Sequence, residues 1–362
     1  MLVSKIVLTD GPCGGKTTAL STMEQELTDM GYKVYILDEV ATRLISAGIK
    51  PFGDDKLDVL TFEDIMLKHQ LLMERSLEEV CKHSNKKCII LCDRGIFDIR
   101  SFLSDKDFNQ LLVKNGISPL EAMDQYDMVI DLVSAAKGAS KYYTLENNEA
   151  RTEGLKEAIE RENLAQASWS FHNNLVIIDN STSFDKKIIR CMNAVKNHLG
   201  LEKRSQRKFL IEVDKQAFQE LNKVLSIQIE QTYLENNYQE PYEFRLRKRT
   251  LSNENTYYVT VKRKENGKEE IVTEEKIEED TYQKLLLQRR IEGRIKKERS
   301  CFTFDNHFYK LDHFEDGMIM LETDKDVTLP PFVDVLEEVT LDNNYNNINL
   351  ATRKQKQKTL KI

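Results

Sequence analysis

The chain has 362 residues, of which 40% are hydrophobic and 31% are charged, and its net charge is −7. This length predicts two domains, each with its own core, and excludes a disordered tail, a peptide hormone and a disulfide mini-protein. No apolar run approaches the roughly 20 residues that a membrane-spanning helix needs. The negative net charge argues against a broad nucleic-acid surface, so we expect no nucleic-acid partner.

Cysteine spacing and the first residues bear on the cellular compartment. Six cysteines are spread along the chain without a Cys-x-x-Cys pair, which argues against a disulfide framework and a zinc site. Residues 1–8 lead directly into a glycine-rich turn and lack the basic start and long apolar stretch of a signal peptide. We therefore expect a cytoplasmic protein with reduced thiols.

The first half of the chain alternates short apolar runs with segments of helical periodicity. This pattern is typical of a parallel sheet with crossover helices, so we predict an α/β domain over residues 1–200. The predicted strands are residues 5–9, 34–37, 88–92, 128–132 and 175–178. A glycine stop at Gly200, followed by a charged stretch, marks the boundary.

The second half changes to period-two alternation, which predicts antiparallel strands. Their number suits a closed antiparallel barrel or a strongly curved sheet over residues 205–351, and residues 352–362 are expected to form a tail. The predicted strands are 208–213, 227–234, 242–249, 256–263, 269–277, 301–304, 307–313, 317–324 and 335–340, and the predicted helices are about 215–225 and 279–291.

A glycine-rich loop lies between the first predicted strand and the first predicted helix. Such a loop directs backbone N–H groups at phosphates, and its lysine and first threonine contact the β/γ-phosphate oxygens and Mg²⁺. The predicted binding residues for ATP or GTP are Gly11, Pro12, Cys13, Gly14, Gly15, Lys16, Thr17 and Thr18, with Thr17 on Mg²⁺. The strict pattern places glycine where this chain has Asp10. Asp tolerates left-handed backbone better than most residues, so the loop can still form.

Charged residues follow two of the other predicted parallel strands. Glu39 and Arg43 lie one turn apart after the second strand, where Glu39 is a candidate general base and Arg43 a contact for an anionic substrate group. The alternative is an ordinary charged pair at a helix start. Asp93 and Arg94 end the third strand, where Asp93 is a candidate Mg²⁺ ligand and Arg94 a phosphate contact. The alternative for these two is a capped turn with a solvated arginine.

Arg151 lies in a polar stretch beyond the fourth predicted strand. On a mobile flap it would close over the transferring phosphates and stabilise developing charge. A solvated amphipathic helix explains the same residues nearly as well.

Basic residues in the second half alternate with apolar residues along strands. Arg245 and Arg247 share one strand face, and Lys262, Lys297 and Arg299 repeat the pattern. Carboxylates on later strands, Glu322, Asp324 and Glu338, are candidate metal ligands. Opposed cations and acids inside a barrel suit a polyphosphate with a divalent metal, whereas the same alternation also fits a solvent-facing sheet surface with exposed ion pairs.

Several motifs of the first half resemble a known module. They are Gly-Pro-Cys-Gly-Gly-Lys-Thr-Thr, Glu-Val-Ala-Thr-Arg from Glu39, Asp-Arg-Gly from Asp93, and Tyr143-Thr with Arg151 and Glu153. Over residues 4–198 they look like the P-loop module shared by nicotinamide riboside kinases and the translocation-defect family. The resemblance implies a nucleoside-kinase-like fold that binds ATP or GTP with Mg²⁺. It leaves open whether this chain transfers a phosphoryl group, hydrolyses nucleotide slowly, or switches.

The second half resembles the CYTH domain, or triphosphate tunnel, over residues 205–351. The motifs include Phe-Arg-Leu-Arg ending at Arg247, Tyr-Val-Thr-Val-Lys ending at Lys262, and Leu-Glu-Thr-Asp ending at Asp324. The family opens with Glu-x-Glu-x-Lys, but this chain has Arg-Ser-Gln-Arg-Lys, which keeps only Lys208. The departure argues against two-metal catalysis. It leaves anion binding by Lys208, Arg245, Arg247, Lys262, Lys297 and Arg299.

The order of the two modules resembles that of the translocation-defect family. It implies a cytosolic, Mg²⁺-dependent ATP- or GTP-binding protein with a phosphotransferase or NTPase site and a tunnel for a phosphorylated small molecule or phosphoinositide. An alternative is a non-catalytic, nucleotide-gated regulator of trafficking that contacts membranes peripherally. A third is a tunnel triphosphatase with a silent P-loop. The base of the nucleotide and the phosphoryl acceptor stay open.

Overall fold

The computed structural model describes residues 3–140, 154–202, 206–221, 224–235, 242–265, 268–325 and 327–359. These residues divide into two compact units, Met1–Lys203 and Arg204–Ile362. No described helix is both long enough and apolar enough to cross a membrane.

The first unit is an α/β fold around a five-stranded parallel sheet, as the alternation of strands and helices predicts. The strands are β1 Val3–Thr9, β2 Lys33–Leu37, β3 Cys88–Asp93, β4 Met128–Leu132 and β5 Leu175–Ile178. The helices are α1 Lys16–Asp29, α2 Val40–Ser46, α3 Val59–Lys82, α4 Asp105–Lys114, α5 Pro119–Met123, α6 Leu155–Trp169 and α7 Phe184–His198, with a 3₁₀ helix at Ile96–Ser101.

Strand order in this sheet is β2-β3-β1-β4-β5, so β1 lies at the centre. The middle strands are buried on both faces, which is why their sequences are nearly continuous apolar runs. Helix α1 packs on one face through Ala19, Leu20, Met23 and Leu27, which recur at helical spacing. The loop after β1 therefore lies at the carboxyl edge of a rigid sheet, where ligands of open α/β folds bind.

The described residues of the second unit form nine antiparallel strands. They are β6 Gln206–Val213, β7 Leu225–Leu234, β8 Tyr242–Leu251, β9 Glu254–Glu265, β10 Lys268–Ile277, β11 Ile291–Phe304, β12 His307–Phe314, β13 Ile319–Asp324 and β14 Val333–Glu338. The helices are α8 Lys215–Gln219, α9 Glu279–Gln288 and α10 Asn347–Thr359, with a 3₁₀ turn at Asn343–Tyr345.

In the described part of the chain the nine strands form one sheet that is not closed, so the closed barrel, one of the two forms expected from sequence, is not observed. The order is β10-β9-β8-β7-β11-β12-β13-β6-β14. Within the described residues, β10 pairs only with β9 and β14 pairs only with β6, so both ends are edges. The predicted strand 301–304 is also too short, because β11 begins at Ile291, and the predicted helix 215–225 ends at Gln219 as α8.

The two faces of this sheet differ in chemistry. One face is apolar and packs on α8 and α9 through residues such as Phe302, Leu311 and Tyr257. On the other face the strand register aligns Arg299 with Asp312, and Glu322 with Lys208. Helix α10 packs against apolar residues of this second face through Leu350 and Ala351.

Candidate functional site

The glycine-rich loop 10–15 joins β1 to α1 in the strand–loop–helix order that the sequence predicts. Gly15 has φ +101° and begins the helix, a backbone conformation that L side chains rarely adopt. A Cβ on Gly14 would lie 2.3 Å from the carbonyl oxygen of Leu132, so no side chain fits there. Cys13 also has positive φ. Thr17 and Thr18 are exposed in the first turn of α1.

Lys16 lies between two carboxylates at the carboxyl edge of the sheet. Its ammonium group is ion-paired with Asp10 and lies 3.7 Å from Oδ1 of Asp93. Among the described residues, that buried Asp93 oxygen has no hydrogen-bond partner. Burial raises the pKa of Asp93 to about 6, although the charge of Lys16 opposes the shift. The edge therefore holds a carboxylate oxygen that a cation would satisfy.

Arg94 connects the ends of β1, β2 and β3. Its Nε donates to Oε1 of Glu39 at 2.7 Å, and one Nη donates to the carbonyl of Asp10 at 3.1 Å and to Asp98 at 3.4 Å. Burial alone would raise the pKa of Glu39, but Arg94 and a hydrogen bond from Thr42 lower it below its ordinary value. A carboxylate held in this way is a weak proton acceptor, which argues against the predicted general base and favours positioning of Arg94.

The predicted substrate contact Arg43 is not part of this cluster. Its guanidinium is about half exposed and binds Asp38 at 2.7 Å. Arg151 lies outside the described residues. Of the predicted catalytic residues, the structure therefore brings together Lys16, Glu39, Asp93 and Arg94.

Two buried side chains that sequence reasoning missed, Glu162 and Lys187, form hydrogen bonds with the backbone of the loop. Oε2 of Glu162, on α6, accepts hydrogen bonds from the backbone N–H of Gly11 at 2.7 Å and of Ser134 at 2.9 Å. Lys187, on α7, donates to the carbonyl oxygens of Gly14 at 3.0 Å and Val133 at 2.6 Å. No local motif marks these residues, because the loop groups that they bind are 151 and 173 residues away in the chain.

Asp98 is a further buried carboxylate without a predicted role. It accepts hydrogen bonds from Thr9, from the N–H of Gly95 at 2.8 Å and from the indole of Trp169 at 3.2 Å. It thereby anchors the turn that contains Arg94 to the end of β1.

In the second unit, three predicted anion-binding cations lie beside acidic partners. Lys297 binds Asp312 at 2.7 Å and Arg299 binds the same carboxylate at 2.6 Å. Burial favours the neutral form of Asp312, but these two cations outweigh it and hold its pKa below the ordinary value. Glu322 lies 3.7 Å from Arg299 and 3.4 Å from Lys208. Much of the positive charge here is already balanced by the protein.

Arg245 and Arg247 are less completely paired. Arg245 donates to Thr260 at 3.1 Å, and Arg247 is ion-paired with Glu274 and lies over the ring of Tyr258. Among the described residues, the buried Nε atoms of both arginines lack hydrogen-bond partners. Burial, together with the charge of Arg247, lowers the pKa of Arg245. An anion bound between the two guanidinium groups would accept hydrogen bonds from these Nε atoms and would stabilise the charged form of Arg245.

The remaining predicted residues of this unit are dispersed. Lys262 is opposite Glu243 in the register, and Asp324 is opposite Gln206. Glu338 is opposite Phe209, on the apolar face, and binds Arg207 at 2.8 Å. Of the predicted metal-binding carboxylates, Glu322 and Asp324 therefore share one face of β13, whereas Glu338 lies on the other face of the sheet. Within the part of the chain that the structure describes, no three His, Cys, Asp or Glu side chains are arranged to hold a metal ion.

Comparisons with known proteins give one family and several weak structural likenesses. A family model described as an AAA domain matches residues 5–187. A conserved hypothetical protein from Pyrococcus furiosus is 22% identical, with 34% of this chain and 80% of that chain covered and a TM-score of 0.25. No curated protein matches.

Two proteins of Pyrococcus horikoshii OT3 are also similar. PH1012 is 20% identical over 34% of this chain and 80% of its own, with a TM-score of 0.26. PH1819 is 15% identical over 44% of this chain and 89% of its own, with a TM-score of 0.26.

Proposed function

The chain belongs to the AAA-domain family, and from that premise we propose that its first unit is a Mg²⁺-dependent ATP or GTP phosphotransferase or NTPase. The observation that carries the proposal is Lys16, at the start of α1, facing the buried carboxylate of Asp93 at 3.7 Å. A phosphate-binding loop with a carboxylate on the neighbouring parallel strand is the arrangement that P-loop enzymes use.

The residues present fit a bound Mg²⁺. The oxygen of Asp93 that lacks a hydrogen-bond partner among the described residues is a hard donor, and Thr17 is exposed in the first turn of α1, next to Lys16. Mg²⁺ needs only one or two such protein ligands when phosphates and water complete its shell. When bound, it would neutralise charge on the phosphates. The pKa of Asp93 is raised, which indicates that the positive charge of the protein alone does not fully stabilise the ionised carboxylate.

The chain's own residues would then act on the phosphates. Lys16 and the N–H groups at the start of α1 bind phosphate oxygens. Arg94 contributes positive charge at the same edge, and Glu39 fixes its orientation through the 2.7 Å hydrogen bond. The acceptor is a hydroxyl group or water.

Turnover measurements on the full chain test this proposal. Asp93→Asn should keep nucleotide binding but lose phosphate release or transfer by about 100-fold or more, since it weakens cation placement. Glu39→Gln should lower turnover less than Asp93→Asn does, because Glu39 acts only by orienting Arg94. Asp29→Asn, at the exposed end of α1, is the matched control. Turnover by Asp93→Asn equal to wild type would contradict the assignment.

For the second unit we propose a CYTH-like domain that binds a phosphorylated anion, following the resemblance of the whole chain to the translocation-defect family. The support is the pair Arg245 and Arg247, whose buried Nε atoms lack partners among the described residues. The balanced cluster around Asp312 and the dispersed carboxylates favour binding over hydrolysis. Triphosphatase activity is therefore the less favoured role.

A second candidate is a cytoplasmic regulator of trafficking, in which nucleotide in the first unit gates binding of a phosphoinositide by the second. The buried Nε atoms of Arg245 and Arg247, which lack hydrogen-bond partners among the described residues, support anion binding in this role as well. Nucleotide binding without turnover across a broad acceptor panel, together with nucleotide-dependent binding to vesicles that contain phosphoinositides, would support the regulator over the enzyme.

A further inference from the structure

Asp10 occupies the position at which the strict phosphate-loop pattern has glycine. Its side chain is 5% exposed and its carboxylate is ion-paired with Lys16. One Nη of Arg94 lies 3.4 Å from the same carboxylate oxygen, and the other donates to the backbone carbonyl of Asp10. The loop thus carries its own anion beside the two cations expected to meet phosphates.

Packing holds this carboxylate in place. A Cβ built on Gly14 would lie 2.5 Å from the Cβ of Asp10 and 2.6 Å from its Oδ2. The side chain of Asp10 therefore fills the space that Gly14 leaves inside the loop. A glycine at position 10 would leave this space empty and would give Lys16 no carboxylate at this point.

Lys16 has one charge, and it is shared between Asp10 and any phosphate that enters the loop. A terminal phosphate that binds Lys16 must share its ammonium with Asp10 or draw it away, and Asp10 then keeps only the more distant charge of Arg94, at 3.4 Å. This loss of binding free energy is greatest for the phosphates that the lysine of a phosphate loop contacts, the β- and γ-phosphates. It also rises with the charge of the ligand.

We propose that Asp10 is a specificity-determining residue that competes with the terminal phosphates for Lys16 and so reduces the preference for nucleoside triphosphate over diphosphate. This inference rests on the proposed nucleotide site. It assigns a role to the one loop residue that departs from the pattern.

Calorimetric titration of the full chain with ATP, ADP, GTP, GDP and inorganic tripolyphosphate tests the inference. Asp10→Asn keeps the size of the side chain and removes its charge. We expect it to bind triphosphates about tenfold more tightly and diphosphates less than about threefold more tightly. The gain should shrink at high salt, because screening weakens the competing charge. Asp29→Asn, in the same helix as Lys16, should change neither affinity.

Asp10→Gly restores the strict pattern and is the second variant, in case Asp10→Asn fails to fold. Equal gains for diphosphate and triphosphate, or no gain for triphosphate in a folded variant, would overturn the inference. Lys16→Ala separates this from failure of the nucleotide site itself. If Lys16→Ala loses binding while the Asp10 variants match wild type, only the role of Asp10 is wrong.

Discussion

Arg94 illustrates how single residues assemble the first site. Its φ is +71°, a conformation that non-glycine residues rarely adopt and that costs of order 1 kcal/mol. Four acceptor atoms around its guanidinium, from Asp10, Glu39 and Asp98, offset that cost. The charged residues after β2 and β3 were predicted correctly, because the end of an apolar strand can be recognised from the sequence. The sequence could not indicate that Glu39 would be held by Arg94, since their pairing depends on the fold.

Glu63, on α3, gives a prediction about stability. Its side chain is buried, one carboxyl oxygen has no hydrogen-bond partner among the described residues, and burial raises its pKa from 4.5 to about 8. The folded protein therefore favours neutral Glu63, and the stability this provides at low pH is lost as the pH rises from 4.5 through 8. Glu63→Gln should match wild type near pH 4 and be more stable near pH 8, by up to about 4 kcal/mol.

Urea unfolding at the two pH values measures this difference. Glu79→Gln, on the same helix but exposed, is the control and should change stability little at either pH, because solvent screens an exposed charge. A Glu63→Gln variant that is equally stable relative to wild type at both pH values would contradict the burial argument.

At the scale of elements, the phosphate loop depends on α6 and α7. Glu162 binds the N–H of Gly11, Lys187 binds the carbonyl of Gly14, and the hydroxyl of Ser134 donates to the carbonyl of Pro12. Buried backbone groups that lose such partners cost about 1–3 kcal/mol each. The loop's conformation is thus fixed by helices distant in sequence.

Glu162→Ala should loosen the loop and weaken nucleotide binding by about tenfold or more, because two buried N–H groups lose their acceptor. Hydrogen exchange should rise at residues 11–15. Glu162→Gln keeps a carbonyl oxygen and should bind nucleotide close to wild type, and exposed Glu160→Ala serves as the control. Unchanged exchange at the loop in Glu162→Ala would show that α6 does not hold it.

The strand predictions were correct for segments whose residues are uniformly buried and apolar, and incomplete for a segment that contains a buried charged residue. The five parallel strands are apolar runs and were predicted at the right positions. Strand β11 was predicted only at its apolar end, because the buried Lys297 interrupts the apolar alternation of its first half. Glu338 was predicted as a metal ligand together with Glu322 and Asp324, but a register shift between Val335 and Glu337 places it opposite Phe209. An added residue of this kind reverses the face of a side chain and has no clear sequence signal.

At the scale of the whole molecule, a net charge of −7 coexists with two concentrations of positive charge. In the first unit these are Lys16 and Arg94, and in the second they are Arg245 and Arg247. Local arrangement rather than net charge therefore decides what each unit binds. The sequence located both cationic groups, but it did not indicate that Asp10 pairs with Lys16 or that Glu274 pairs with Arg247.

The second unit can be tested in the full chain on a Lys16→Ala background, which removes the first phosphate site. We expect tripolyphosphate to bind, more weakly at high salt, and Arg245→Ala to reduce that binding by about tenfold or more. Hydrolysis with Mg²⁺ or Mn²⁺ should be slow or absent. Binding that survives Arg245→Ala unchanged would contradict the anion site, and rapid hydrolysis would contradict the argument from the dispersed carboxylates.

The central claim is that the loop between β1 and α1 binds the phosphates of ATP or GTP through Lys16. Calorimetric titration of wild type, Lys16→Ala and the exposed control Lys82→Ala with both nucleotides and Mg²⁺ tests it most directly. The account predicts that wild type and Lys82→Ala bind at least one nucleotide, and that Lys16→Ala binds it about 100-fold more weakly while keeping its melting temperature. Equal affinity of wild type and Lys16→Ala for both nucleotides would contradict it.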